Sequence, residues 1–246
     1  MEGVVRSVGF APVKGMRHLD LDHVDLDEQG AVGDRAYCLV DVERRRVLRT
    51  VQHPSLMSIV AESYDDDGLA LTLPTGERIE GQAAASGETI TCDYWGRAVD
   101  LALTVGPHAE LITAQLGRDV RLARAPRTAV VFGDPITVVT TASLRQMGGE
   151  MGVEAARFRA TLVLDTDDPW VEDTWLGQEI DLGGATVRVG GPVPRCTVID
   201  HHPETGEKDA RILQSLVRQR PTNRSGEPMF GVYATVTRPG RVGVTR

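Results

Sequence analysis

Residues 190–206 read G-G-P-V-P-R-C-T-V-I-D-H-H-P-E-T-G and hold the most reactive side chain that we identify in the sequence, Cys196. Residues 186–189 form a strand-like run that leads into this stretch, and the turn Pro203-Glu204-Thr205-Gly206 closes it. The pattern predicts a strand, a loop that carries the cysteine, and a tight turn. We therefore place the centre of the protein here.

Two features of this loop bear on the chemistry of the thiol. Pro192 and Pro194 fix the backbone φ angle and remove two N–H donors, which makes the loop stiff. Arg195 places a positive charge next to Cys196, and a neighbouring cation favours the thiolate, the form that attacks electrophiles or binds a soft metal. The alternative is a buried structural cysteine, which is the commoner role of a single Cys.

The composition is that of an ordinary globular protein of 246 residues, with 41% apolar and 25% charged residues. The net charge of −8 argues against nucleic-acid and membrane-surface partners, because phosphate groups select a basic face, and we identify no basic patch that contradicts this. The sequence shows no N-terminal signal pattern and no apolar run of spanning length. We therefore expect a cytoplasmic protein with one large or two small domains.

The three cysteines, Cys38, Cys92 and Cys196, show neither paired spacing nor metal-finger spacing. This excludes a disulfide framework and argues against an iron–sulfur cluster held by the chain itself. Any electrons that the chemistry needs must therefore come from another molecule.

The first half of the chain is predicted to consist mostly of strands. Runs at residues 4–10, 19–26, 35–41, 69–73, 88–93 and 98–103 are separated by turn residues. Short strands at this spacing are typical of a barrel or a sandwich. Residues 107–117 change to helical spacing, with Pro107 near the first position and Gly117 at the stop. We interpret residues 121–127 as a charged connection and a domain boundary.

The second half begins with an apolar strand, residues 136–139, followed by a helix that Thr140 or Thr141 caps. The N–H groups at such a helix start are a place for an anion such as phosphate, although a merely capped helix explains the same residues. Arg157 and Arg159 alternate on a segment that we interpret as extended, so they could share one face and hold a phosphate together. Solvated arginines are the usual explanation for such a pair.

The last part of the chain is predicted to contain a hairpin at residues 180–187, a helix at 209–218, and strands at 232–237 and 242–245. Asp209 is expected to cap the helix. Its apolar stripe is expected to comprise Ile212, Leu213, Leu216 and Val217.

Five segments occur in the same order as in the MOSC family, named after the C-terminal part of molybdenum cofactor sulfurase, and the chain resembles this family over essentially its whole length. They are Pro12-Val13-Lys14-Gly15-Met16, Gly33-Asp34-Arg35, Thr140-Thr141-Ala142-Ser143-Leu144, Arg157-Phe158-Arg159-Ala160-Thr161, and Gly191-Pro192-Val193-Pro194-Arg195-Cys196 with Pro203-Glu204-Thr205-Gly206. Phe230-Gly231-Val232-Tyr233 matches near the end. Each segment alone is a weak signal, whereas the ordered set is specific.

The resemblance implies a fold that is mainly β with a few helices (α+β). In the amidoxime-reducing component and its bacterial relatives, an N-terminal β-barrel accompanies a β-barrel MOSC domain. By this resemblance we place the N-terminal MOSC-associated β-barrel domain at residues 1–122 and the MOSC domain at residues 123–246.

The resemblance also implies a molybdenum cofactor (molybdopterin), with Cys196 as the catalytic residue and the thiolate ligand of the metal. The pterin ends in a phosphate, which needs cations and backbone donors. The cofactor-binding positions that the resemblance implies are Lys14, Arg35, Thr141, Ser143, Arg157, Arg159, Thr161, Arg195 and Tyr233.

The function that the resemblance implies is the reduction of N-hydroxylated small molecules by a molybdenum-dependent oxidoreductase. Its partners would be the small-molecule substrate and an external electron donor of the ferredoxin, flavoprotein or cytochrome type, with no nucleic acid and no membrane.

Two alternatives stay open. One is a metal-free sulfur or selenium transferase that works through a persulfide on Cys196; the other is a non-catalytic carrier of the molybdenum cofactor. The family commonly has Arg-Pro-Asn where this chain has Arg159-Ala160-Thr161, and often an acidic residue in place of Thr141, which favours the transferase. Pyridoxal phosphate binding is a family-level term, but no desulfurase domain that uses this cofactor fits in the chain, so a transferase would need a partner to load it.

Overall fold

A computed structural model describes residues 1–65, 67–148 and 153–245, and the first half is rich in strands, as the residue pattern predicts. The elements of this half are β1 Val5–Phe10, β2 Leu19–Leu21, β3 His23–Asp27, β4 Gly30–Ala31, β5 Tyr37–Asp41, β6 Arg46–Val47, β7 Val60–Tyr64, β8 Gly68–Thr72, β9 Arg78–Gln82, β10 Ala84–Tyr94, β11 Arg97–Val105 and α1 His108–Leu116.

The second half alternates strands with short helices. Its elements are β12 Arg121–Arg124, β13 Ile136–Thr140, α2 Thr141–Gln146, α3 Val153–Arg157, β14 Leu162–Leu164, β15 Glu179–Asp181, β16 Thr186–Pro194, α4 Ile212–Gln219, β17 Met229–Arg238 and β18 Gly240–Gly243. A 3₁₀ helix, Thr197–Asp200, follows β16.

The strands form a closed barrel and a separate sheet, so the expected β fold with a barrel-like lobe is confirmed. The barrel contains β5, β6, β10, β11 and β12. The sheet has the order β15-β16-β17-β13-β14-β1-β2. Smaller sheets, β18-β3-β4 and β7-β8-β9, complete the layers. None of the helices in these described ranges is both long and apolar enough to cross a bilayer.

The sheet combines both halves of the chain. β1 pairs antiparallel with β14, with Val8 opposite Leu162, and β18 pairs with β3, with Val242 opposite Val24. The side chains of β1 pack in one buried core with those of β13, β16 and β17. The first strands therefore belong structurally to the second lobe, whereas β12 closes the barrel of the first.

Residues 121–124 correct one expectation. We interpreted residues 121–127 as a charged connection and a domain boundary, but Arg121–Arg124 form β12, which pairs with β5 and β11. Ala123 is buried in one core with residues of β10 and β11, Leu122 is buried in another core with residues of β8 and α1, and Arg124 is exposed. Adjacent residues of a strand point to opposite faces, and both faces of β12 are covered at its centre, so two apolar residues between two arginines show no alternating pattern.

The predicted ends of α1 and α2 agree with the structure, whereas the predicted start of α4 does not. α1 follows Pro107 and ends at Gly117, whose φ of 62° is left-handed, as predicted. The side chain of Thr140 caps α2 by accepting the N–H of Ser143. The prediction that Asp209 caps the last helix is wrong: α4 begins at Ile212, and Asp200 accepts the N–H of Leu213 instead.

The apolar stripe of α4 is narrower than predicted. Leu216 is fully buried, and Ile212 and Leu213 pack against the same core. Val217 is exposed, so its assignment to the core was wrong.

Candidate functional site

A cavity of about 420 Å³ lies between the two lobes. Its walls come from the barrel, from the segment before β13, and from the loops around β16 and β17. The predicted site residues that line it are Lys14, Arg35, Arg157, Arg159, Arg195, Cys196 and Tyr233. The structure thus brings together seven positions that are scattered through the sequence.

Cys196 sits where β16 ends and the 3₁₀ helix Thr197–Asp200 begins. β16 runs further than predicted, to Pro194, and its register with β17 is interrupted at Pro192 and Pro194 because proline has no N–H to donate to the ladder. Cys196 is partly exposed, in contrast to the buried Cys38 and Cys92. The thiol is therefore the one of the three that faces the cavity.

Arg195 points its guanidinium into the protein. Its Nε donates to the carbonyl of Phe230 at 2.8 Å, and its Nη1 donates to that of Phe158 at 2.9 Å. Both aromatic rings lie within 6 Å of the guanidinium, at 5.3 and 5.7 Å. Burial lowers the pKa of Arg195 to about 10. The buried Nη2 has no hydrogen-bond partner among the described residues, so its N–H groups remain available to a bound acceptor.

Three cations from both lobes meet at this cavity. Burial, with repulsion from Arg35 and Arg159, lowers the pKa of Lys14 to about 7. Burial and Arg35 lower the pKa of Arg159 to about 9. Within the described ranges, Arg35 pairs with Asp34, whereas the side chains of Lys14 and Arg159 form no hydrogen bond or ion pair. A cluster of like charges in a partly dry site is unfavourable on its own and favours a bound anion.

The backbone at two of these cations is held in an unusual conformation. Arg35 has a φ of 51° and Arg159 a φ of 50°, both in the left-handed region. For a residue with a Cβ atom this costs on the order of 1–2 kcal/mol per residue. Such strain clusters at functional sites, where the surrounding structure imposes it to aim a side chain. Both guanidinium groups line the same cavity as a result.

Arg157 also lines the cavity, and its role in cofactor binding stays a prediction, but its surroundings differ from those expected. The segment is not extended: Arg157 ends α3 and Arg159 lies in the tight turn that follows. Arg157 makes a bidentate ion pair with Asp209, at 2.8 and 2.9 Å. The arginine lines the cavity, but its Nη1 and Nη2 are directed to this carboxylate, which also explains why Asp209 is not a helix cap.

Thr141, Ser143 and Thr161 lie outside the cavity lining. Ser143 is buried and donates to the carboxylate of Glu172 at 2.8 Å, and Thr141 donates to Asp165 at 2.8 Å. Thr161 is buried between β13 and β14, where its hydroxyl accepts from the backbone N–H of Thr137. These three hydroxyls stabilise the sheet and the start of α2, and their role in cofactor binding stays a prediction.

Several cavity residues were missed in the sequence. Trp95 and Phe132 form an edge-to-face pair with centroids 5.6 Å apart, and both are about half exposed at the cavity. Asp134 and Glu227 also line it, and together with burial their charges raise the pKa of Tyr233. Exposed aromatic residues in turns were the available signal, but only the fold shows that turns far apart in the chain share one wall.

His18 was also missed. It is buried, and its Nε2 has no hydrogen-bond partner in the described part of the chain. Burial, with the charges of Arg159 and Arg35, holds its pKa well below the usual value, so this imidazole is neutral at pH 7. The cationic cluster therefore gains no further charge from it.

Comparison with known proteins places this site in a family context. The sequence model of the MOSC domain matches residues 118–245, and that of the MOSC N-terminal beta barrel domain matches residues 2–119. The molybdenum cofactor sulfurase of Caenorhabditis elegans is 25% identical over 236 residues, covering 92% of this chain and 32% of that protein. That of Drosophila ananassae is 26% identical over 231 residues, covering 85% of this chain and 28% of that protein.

The chain thus spans about a third of the length of these curated relatives. Among solved structures, the YUAD protein from Bacillus subtilis aligns with a TM-score of 0.42 and 13% identity, over 99% of this chain and 92% of that chain.

Proposed function

This chain belongs to the MOSC domain family, and from that premise we propose that it binds the molybdenum cofactor in the cavity between its lobes and reduces N-hydroxylated compounds. The observation that carries the proposal is the meeting of Lys14, Arg35 and Arg159 with the thiol of Cys196 in one cavity. The cations match a terminal phosphate, and a thiolate matches a soft metal.

The residues present fit such a group. The buried Nη2 of Arg195 needs an acceptor, and the side chains of Lys14 and Arg159 need an anion to offset their mutual repulsion. Cys196 offers one soft donor, and a cofactor with its own sulfur ligands would provide the others. No cluster of three or more His, Cys, Asp or Glu side chains that could hold a metal occurs among the described residues.

When bound, the cofactor would supply a centre that exchanges two electrons. The net reaction is R–NHOH + 2 e⁻ + 2 H⁺ → R–NH₂ + H₂O, in which the N–O bond breaks and the nitrogen is reduced. The protein's part is to hold and orient. Lys14, Arg35 and Arg159 would bind the phosphate, the Nη2 of Arg195 would donate to a cofactor oxygen or nitrogen, and the Cys196 sulfur would bind the metal. Trp95 and Phe132 would shield the cavity from bulk water at its exposed side.

Metal analysis tests this proposal. Wild type, Cys196→Ser, Arg159→Ala and the control Arg218→Ala, an exposed arginine on α4, are purified from a host that makes the cofactor. We expect nearly one molybdenum and one pterin per wild-type and control chain, and a content roughly tenfold lower in Arg159→Ala, since losing a charge-assisted contact costs about 1.4 kcal/mol or more. X-ray absorption should show one sulfur neighbour fewer in Cys196→Ser. Wild-type protein purified without molybdenum would contradict the proposal that the chain binds the molybdenum cofactor.

Turnover then separates an enzyme from a carrier. Dithionite-reduced methyl viologen supplies electrons to the loaded protein, and an N-hydroxylated amidine serves as the substrate. Oxidation of the reduced dye together with formation of the amidine supports the reductase. Bound cofactor without turnover identifies a carrier.

Sulfur transfer is the second candidate, favoured by one observation: the relatives cited above are named molybdenum cofactor sulfurase. The thiolate of the partly exposed Cys196 would take the outer sulfur of a partner's persulfide, which leaves the partner as a thiolate, and would then pass that sulfur to an acceptor thiolate, which restores the Cys196 thiolate. It predicts a cyanide-releasable sulfur in wild type that is absent in Cys196→Ser.

A further inference from the structure

A group of arginines, all exposed except the half-buried Arg49, adjoins the cavity and has no part in the proposed chemistry. It comprises Arg44, Arg45 and Arg46 in and after the turn between β5 and β6, the nearby Arg49, and Arg97 at the start of β11. We call these five residues the arginine patch. We identified no basic patch in the sequence, whose net charge is −8; the structure adds Arg97 of β11 to the four arginines of residues 44–49.

The arginine patch is continuous in space. Asp93 lies opposite Arg46, and its N–H donates to the carbonyl of Arg45, so the β5–β6 turn lies beside the β10–β11 turn. Arg49 covers the ring of Trp95 at 4.3 Å. Arg97 donates to the carbonyl of Val131 at 2.7 Å, next to Phe132. Arg49, Trp95 and Phe132 line the cavity, so the patch adjoins it.

The charge of this patch is not neutralised locally. Arg44 pairs with Asp41, whereas the exposed Arg45 and Arg46 have no ion pair within the described residues. Glu43 and Asp93 are the acidic side chains in the same turns. Arginines outnumber them, so a positive surface stands beside the cavity of a protein that is otherwise negative.

The aromatic residues indicate what kind of partner this surface suits. Single-stranded nucleic acids bind by stacking bases on free aromatic faces. Here a face of Trp95 is covered by Arg49, and Phe132 stands edge-to-face against the same ring. Tryptophan and arginine packed in this way are typical of protein interfaces, where they form the energetic centre. A protein with an acidic surface is therefore the better match.

We propose that the arginine patch, with Trp95 and Phe132 beside it, docks a small acidic electron-carrier protein of the iron–sulfur or flavin type. This rests on the proposed function, because reduction of an N–O bond consumes two electrons that a donor must supply. A carrier docked here delivers them next to the cavity, either one at a time or as a pair, and is itself oxidised by the same number.

Charge reversal tests the docking surface. The cofactor-loaded wild type is compared with the double variant Arg45→Glu/Arg46→Glu and with Arg211→Glu/Arg218→Glu, which makes the same charge change at two exposed arginines of the α4 region. A plant-type [2Fe–2S] ferredoxin is the probe, and its Kd is measured calorimetrically from about 20 to about 200 mM salt, since screening grows over this range. We expect the patch variant to bind about tenfold more weakly with a flatter salt dependence, and the control to stay within about twofold of wild type.

Electron supply separates this inference from the function on which it rests. With dithionite as reductant, wild type and both variants should turn over equally, because a small reductant needs no docking; with ferredoxin, the patch variant alone should be slower. If none of the proteins turns over with dithionite, the proposed function fails. Equal ferredoxin affinity in all three proteins, or none in wild type, overturns the docking surface, and tight Arg45/Arg46-dependent binding of a single-stranded RNA would assign it to nucleic acid instead.

Discussion

Among single residues, Lys14 has a charge that should depend on what fills the cavity. Its pKa is about 7 because it is buried beside Arg35 and Arg159. A bound dianion stabilises the ammonium and raises this pKa, so between the two values binding takes up a proton. The affinity for an anion should therefore be constant below about pH 7 and should fall as the pH rises above it. Sulfate is a suitable probe, because it does not titrate in this range, and calorimetry in two buffers of different ionisation enthalpy measures the uptake.

Two variants assign the proton to Lys14. Lys14→Arg keeps the charge at every accessible pH, so sulfate should still bind, with neither proton uptake nor pH dependence. Lys14→Met should bind weakly at every pH. The neighbouring His18 is neutral throughout, since its pKa is held well below the usual value. Proton uptake that persists in Lys14→Met would place the titrating group elsewhere.

We expect Arg159 to lower the free energy of unfolding of the anion-free protein, although the same residue binds the anion. Its left-handed backbone and its cationic neighbours both destabilise the anion-free state. Glycine removes the strain of about 1–2 kcal/mol and costs about 0.5–1 kcal/mol in backbone entropy, so Arg159→Gly should raise the free energy of unfolding by about 0.5–1 kcal/mol. Urea titration measures this gain, which should accompany a loss of sulfate binding.

Thr128→Gly is the matched control for Arg159→Gly. Thr128 is exposed, carries no charge and has a φ of 66°, so the same relief of strain should occur with sulfate binding intact. If Arg159→Gly is instead less stable than wild type, the arginine contributes to the fold rather than straining it for binding.

At the scale of secondary structure elements, β17 is built around one glycine that positions the site. Gly231 has a φ of 71°, and a Cβ there would lie 2.5 Å from the carbonyl of Val138 and 3.3 Å from the Nη2 of Arg195. Gly231→Ala should therefore cost about 2–4 kcal/mol, from strain together with a backbone clash. Gly117→Ala is the control, since its φ is 62° but its Cβ would meet open space, and it should cost only about 1 kcal/mol. If Gly231→Ala and Gly117→Ala lowered the free energy of unfolding equally in thermal or urea unfolding, β17 would have to shift to make room for the added Cβ.

Elements whose signals are local could be predicted from the sequence, and those that depend on distant partners could not. α1 was predicted because Pro107 and Gly117 determine its ends by their own backbone chemistry. β12 was not, because an Arg-rich segment becomes a strand only through the ladders that β5 and β11 provide. The cap of α4 was assigned to Asp209, but an arginine 52 positions earlier binds that carboxylate.

The same division holds for the candidate site. Cys196, Lys14, Arg35 and Arg159 lie in recognisable segments and all line the cavity. Trp95 and Phe132 could be noticed as aromatic residues in turns but not assigned to the site, because they become neighbours only when the β10–β11 turn meets the segment before β13. Ser143 shows the converse: its segment is recognisable, but its hydroxyl donates a hydrogen bond to the buried carboxylate of Glu172.

For the whole molecule, the exchange of strands between the halves makes the two lobes depend on each other. β1 contributes Val5, Val8 and Phe10 to the core of the second-half sheet. A fragment of residues 123–246 lacks them and leaves β14 without its antiparallel neighbour. We expect this fragment to lack near-UV circular dichroism, to bind ANS, and to melt without cooperativity. A fragment in which residues 1–31 precede residue 123 through a flexible linker should regain a cooperative transition, because β1 to β4 return to their sheets. Cooperative melting of residues 123–246 alone would contradict this dependence.

If the two lobes do depend on each other, an anion bound by Lys14, Arg35 and Arg159 contacts both lobes at once. Binding should therefore raise the unfolding temperature of the whole chain in a single transition.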